Sequence, residues 1–119
     1  MTPEEREQKA RTLHADHHNC CQSVVMAYDD KIGIDAAKAN QLAAPFGRGM
    51  SGLREVCGCV SGMAMVAGLT SKADEFPQLA ERFRQENGDI VCGRLLAMGK
   101  KPCRDLVGCA ARLLADVCD

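Results

Sequence analysis

Residues 55–69 read EVCGCVSGMAMVAGL, and their reading decides the fold. No alternation of period two runs through them or through any other segment, so no strand is expected. The stretch is apolar but too short to cross a bilayer. It reads as one helix of a packed bundle, from about Leu53 to Ala67. Gly58, Gly62 and Gly68 are poor helix formers, and three of them in one helix need a reason. Close approach of another backbone, or of a bound group, supplies one. Cys57 lies inside this helix on the face of Val60, Ser61, Ala64 and Gly68, whereas Cys59 points elsewhere, roughly with Met63 and Val66.

Helix signals continue on both sides. Thr2-Pro3-Glu4-Glu5 is a capping box with Pro at the first helical position, opening a polar helix to about His14. HADHHN, residues 14–19, interrupts it, and Asn19 caps a second helix with Gln22 at its third position. Val24, Val25, Tyr28 and Ile32 share one face of that helix, and Gly33 is its stop. Asp35 caps a third helix that ends before Pro45. FGRGMSG, residues 46–52, is a glycine-rich loop. A further helix runs from Phe76-Pro77 to Gly88, Asp89 caps IVCGRLLAM with Gly99 as its stop, and Pro102 opens the last helix. The expectation is an all-α fold, one compact bundle of six or seven short helices forming a single domain over 1–119.

Composition agrees. Hydrophobic residues make up 46% of the 119, aromatics only 3%, and Trp is absent. The core must be built from Ala, Val, Leu and Met, which favours closely packed helices, and the methionines read as core filler. The net charge of -1 leaves no basic excess to attract nucleic acid and no polybasic segment for a membrane. The opening MTPEEREQKAR lacks an apolar signal core, so a cytoplasmic chain is expected. Thiols there stay reduced unless they bind metal or do redox work, so eight cysteines point to such chemistry rather than to a disulfide framework.

The cysteines are not scattered evenly. Cys20 and Cys21 fall in the first turn of the second helix, where free N–H groups and the helix dipole favour thiolate. Cys92 and Cys103 also open helices. Cys109 and Cys118 read as incidental thiols. Four thiolates repel one another, so convergence of Cys20, Cys57, Cys92 and Cys103 requires a metal or helix dipoles to neutralise them. The paired C-x-x-C knuckles of zinc modules are absent, as are the runs that bind ferredoxin clusters or covalent haem. His14, His17 and His18 read as a solvated loop, with a metal site beside Cys20 as the sharper alternative. FGRGMSG lacks the Lys-Ser/Thr of a phosphate-binding loop.

These residues together carry a resemblance. NCCQSVVMAY, then APFGRGMSGLREVCGCVSGMAMVAGL, then IVCGRLL and finally PCRDLVGCAARLL follow the order and spacing of the C_GCAxxG_C_C family of redox-active proteins. The resemblance covers most of residues 19 to 115. By motif it assigns the family's four cysteines to Cys20, Cys57, Cys92 and Cys103. Cys59 stands where the family usually has Ala, and Cys21, Cys109 and Cys118 are also additional, so Cys21 and Cys59 are two further candidate ligands. The resemblance implies redox or metal chemistry. A similar domain in split-Soret cytochromes is associated with an iron–sulfur cluster, which suggests the same cofactor here by analogy.

The leading expectation is therefore an iron–sulfur protein that exchanges electrons with an unidentified redox partner. A metal-free thiol–disulfide protein and a zinc or other thiophilic-metal site are the alternatives, and a plain helical partner-binding domain with inert thiols is the fourth reading. Whether the chain is an enzyme is open. A homodimer with a cluster between two chains is compatible with all of this.

Overall fold

A computed structural model describes all residues, 1–119. It contains seven helices and no strand. They are α1 (Pro3–Ala15), α2 (Cys20–Met26), α3 (Ala36–Ala43), α4 (Gly58–Leu69), α5 (Phe76–Asn87), α6 (Cys92–Met98) and α7 (Cys103–Cys118). None is long and apolar enough to cross a membrane.

The caps at the start of the chain form as the sequence indicates. Thr2 accepts from Glu5 N at 3.1 Å while Glu5 accepts from Thr2 N at 2.7 Å. Asn19 and Gln22 form the same reciprocal pair at the start of α2. α2 is shorter than expected: regular helix, with Val24 and Val25 buried, ends at Met26, and looser turns carry Tyr28 and Ile32 on into the core. Gly33 then reverses the chain at φ 70°.

α7 is the spine. α1 packs along it, and α2, α4 and α5 also rest against it. Leu113 and Leu114 are fully buried there, each contributing about 1.5–3 kcal/mol. One continuous core joins these faces with Val24, Val60, Met63, Val66, Leu79 and Phe83. Met26 and Met63 are core filler as expected, but Met50 and Met98 are exposed.

One buried group was not legible in the sequence. Arg6 of the polar helix α1 has no exposed side-chain surface. Its guanidinium bonds Asp30 at 2.6 and 3.0 Å, Asp119 at 2.7 and 2.8 Å, and the Ala27 carbonyl at 2.8 Å. It also lies 4.2 Å over the Tyr28 ring, whose hydroxyl donates to Ala111 O at 2.7 Å. One arginine thus ties α1, the end of α2 and the C-terminus together.

Two expected boundaries shift, and both shifts shape the site. The helix expected from Leu53 begins only at Gly58, because residues 53–56 are used otherwise. Arg54 sits at φ 60°, Val56 bridges Val91 in antiparallel fashion, and Cys57 N donates to Ile90 O at 2.8 Å. Asp89, expected to cap a helix from Ile90, instead accepts from Ile90 N and Val91 N at 2.7 and 3.0 Å. Those two residues stay extended for the bridge, and α6 starts at Cys92.

The glycine-rich loop is a left-handed turn. Arg48, Gly49, Met50 and Ser51 lie at φ 57, 61, 73 and 55°. Each non-glycine residue there costs about 1–2 kcal/mol. Local bonds offset this: Ser51 Oγ donates to Pro45 O at 2.8 Å, and Glu55 N donates to Gly49 O at 3.0 Å. A methyl at Gly49 would stand 2.6 Å from Glu55 N, so only glycine fits there.

Candidate functional site: a thiol-lined pocket

The four cysteines singled out by sequence sit at four helix starts. Cys20 is the first residue of α2, Cys92 of α6 and Cys103 of α7. Cys57 is the residue that precedes α4, so the expectation that it lies inside a helix is corrected. The cause is the bridge at Val56, which holds the chain extended up to Cys57. The starts of α4, α6 and α7 have no side-chain cap; at α6 the Cys92 and Gly93 N–H groups donate instead to Glu55 O and Arg54 O.

All four line one cavity of about 440 Å³, together with Cys59. The expectation that Cys59 points away from Cys57 is therefore also corrected. With the helix starting at Gly58, Cys59 falls in its first turn, and its thiol lies beside the Cys20 and Cys57 sulfurs. Gly58 makes this possible. A methyl there would overlap Cys20 Sγ and stand 2.9 Å from Phe46 O. Gly62 has a like role, since its methyl would meet Val24 Cβ at 2.9 Å. Gly68 does not: nothing lies within 4 Å of it, so close approach explains two of the three glycines.

Depth orders the sulfurs. Cys57 and Cys59 are buried, Cys20 and Cys92 half-buried, and Cys103 exposed at the mouth. The Cys59 thiol brings the Cys20 pKa down to about 6, helped by the backbone N–H groups of Arg48 and Cys21. The left-handed turn thus aims an amide at a thiolate. Cys57 is lowered by the Cys59 thiol, with the Cys59 and Val60 amides assisting. Cys59 is held protonated, because its hydrogen serves its neighbours and it is buried. Cys103 is raised by partial enclosure and by the nearby Cys20, Cys57 and Cys92 sulfurs.

The wall is basic. Arg48, Arg54 and Lys101 reach it, and Arg54 Nη1 approaches Cys92 Sγ at 3.6 Å. His14, His17 and His18 line it too, so they are part of the site rather than a remote solvated loop. α1 ends at Ala15, His17 turns at φ 67°, and His18 Nδ1 lies 3.1 Å from Leu13 O. The helix break that seemed to disperse them folds them back beside Cys20. No three His, Cys, Asp or Glu groups are arranged as for a single ion.

The other thiols face elsewhere. Cys21 points to Met65 Sδ at 3.9 Å and is pushed up to about 12 by burial. Cys109 packs against Glu86 and Asn87, and burial, with the Glu86 carboxylate assisting, raises it to about 11. Cys118 lies 3.6 Å from Thr70 Oγ1. Neither Cys109 nor Cys118 lines the pocket.

The chain is a helical bundle that gathers five thiols into one basic pocket. The family model described as "Putative redox-active protein (C_GCAxxG_C_C)" matches residues 18–117, and the chain belongs to that family. No curated protein and no solved structure matches it.

Proposed function

We propose that the pocket holds an iron–sulfur cluster on Cys20, Cys57, Cys92 and Cys103, and that the protein carries electrons. The observation that carries this reading is the meeting of four helix-start cysteines around one cavity of about 440 Å³. The residues fit such a group. The donors are soft thiolates, the set suited to these clusters. When bound, the cluster supplies one-electron exchange.

The chain's own residues then have defined tasks. Arg48, Arg54 and Lys101 offset the charge of four thiolates. Cys59 stands behind Cys20 and Cys57 and donates its S–H to one or other sulfur, a contact that tunes a ligand without replacing it. Leu95 and Leu106 limit water at the apolar side of the pocket.

A specific observation also favours a second reading. Cys20, Cys57 and Cys59 lie side by side in the pocket, and Cys20 is thiolate near pH 7. In that reading Cys20 attacks a disulfide of a substrate protein and displaces one substrate thiolate. Cys59 or Cys57 then loses its proton and attacks the Cys20 sulfur, and the second substrate thiol leaves. The substrate disulfide is reduced to a dithiol and the pocket dithiol is oxidised to a disulfide.

Iron, zinc and acid-labile sulfide per chain, measured on protein purified without oxygen, separate the readings. Iron and sulfide in equal amounts, lost on Cys→Ser at any of the four positions and retained in Cys109→Ala, is the expected result. Iron-free protein that takes up two oxidising equivalents per chain and gains a Cys20 disulfide overturns the cluster and leaves thiol–disulfide exchange.

A further inference from the structure

The pocket opens onto a face unlike the rest of the molecule. Residues 46–56 and 91–105 make it, joined by the Val56–Val91 bridge and by Cys92 N and Gly93 N donating to Glu55 O and Arg54 O at 2.6 and 3.1 Å. These two segments carry six cations (Arg48, Arg54, Arg94, Lys100, Lys101, Arg104) against two carboxylates (Glu55, Asp105). Their net charge is therefore +4 inside a chain of net charge -1, which leaves -5 for everything else. Asp105 is already engaged by Arg11 at 2.7 Å, whereas Arg48, Arg54, Lys100 and Arg104 make no ion pair.

Apolar side chains are exposed on the same two segments. Leu53 is 71% exposed and Leu96 52%, and Met50, Val56 and Met98 join them. Five of the molecule's nine exposed large hydrophobic residues thus lie on these two segments, and Leu96 lines the pocket itself. Exposed apolar side chains among unpaired charges are the composition of a docking patch. Cys103, the outermost pocket sulfur, lies between Lys101 and Arg104 on this face.

We infer that this face is the docking surface for an acidic electron-transfer protein, which exchanges electrons with the pocket across Cys103. The inference rests on the redox reading of the pocket. The charge separation gives it direction: the +4 face attracts an acidic partner while the -5 remainder repels it, so encounters are steered to the one side where the sulfurs are reachable. Protein is favoured over nucleic acid because the face has no exposed aromatic side chain on which bases stack.

Isothermal titration of the full chain with three probes tests this: an acidic flavodoxin, an acidic plant-type ferredoxin and a basic cytochrome. Vesicles of an anionic phospholipid serve as a fourth. The expected result is micromolar binding of at least one acidic probe, absent for the cytochrome, weakening about tenfold between 50 and 300 mM salt. Lys100→Glu with Arg104→Glu, both exposed and outside the pocket wall, should weaken binding at least tenfold with the melting temperature unchanged. Leu53→Ser should weaken it without changing the salt slope. Equal affinity for the basic cytochrome, indifference to the charge reversals, or tight binding to the vesicles alone overturns the inference. Binding is read by heat and the cofactor by iron and sulfide content, so failure of one leaves the other standing.

Discussion

Replacing Gly58 by alanine tests the packing that builds the pocket. The added methyl overlaps Cys20 Sγ, stands 2.9 Å from Phe46 O and lies 3.2 Å from Cys21 N. The last two are backbone atoms and the first belongs to a residue fixed by the Asn19 cap, so none yields cheaply. Overpacking of this kind costs about 1–3 kcal/mol. Removing glycine's freedom in the unfolded chain returns at most about 1 kcal/mol. The net loss is about 1–2 kcal/mol, a fall in melting temperature of about 4–8 °C for a chain of this size. Gly68→Ala is the matched control in the same helix. Nothing lies within 4 Å of that position, so alanine gains about 0.5 kcal/mol and the melting temperature rises about 2 °C. Thermal unfolding of the metal-free reduced proteins by circular dichroism gives both values. The reasoning is refuted if the two variants shift the same way, or if Gly58→Ala melts like the parent.

Four further outcomes follow from the geometry. Arg6→Met removes a fully buried guanidinium and leaves Asp119 with only its longer 3.7 Å pair to Lys31, so stability to urea falls by about 3 kcal/mol. Arg6 also holds Asp30 and Asp119 below the ordinary carboxyl range, so the folded protein binds fewer protons there than the unfolded chain. The stability they contribute is complete above about pH 4. It is lost as pH falls through their lowered folded values, and an acid titration of Arg6→Met should show a shallower decline. In metal-free protein, alkylation of Cys20 should titrate with a midpoint near pH 6, against about 8.5 for an unstructured thiol. Cys59→Ala removes the main cause of that lowering and should move the midpoint upward, read by mass spectrometry of the alkylated peptide.

Much of the fold is legible because its signals are local. Thr2 with Glu5, and Asn19 with Gln22, specify helix starts within four residues, and Gly33, Gly88 and Gly99 stop the chain at positive φ. Arg6 has no such signal, because its partners lie at Asp30 and Asp119. The start of α4 was misplaced for the same reason. Residues 53–56 have an unremarkable helical composition, and only the distant Ile90 and Val91 pull them into an extended bridge.

The site divides along that line. Sequence by itself determined the all-α architecture and marked Cys20, Cys92 and Cys103, because a helix start is set by neighbours a few residues away; Cys57 was singled out by the family motif, since its own helix start is set by a distant bridge. Tertiary structure alone decided that these sulfurs share one pocket. It decided too that Cys59 joins them while Cys21 turns to Met65, and that three histidines and three cations line the same wall. One residue at the start of α4 rotates Cys59 by about 100° around the helix axis, so its direction depended on where a bridge between residues 35 apart in sequence ends the extended chain.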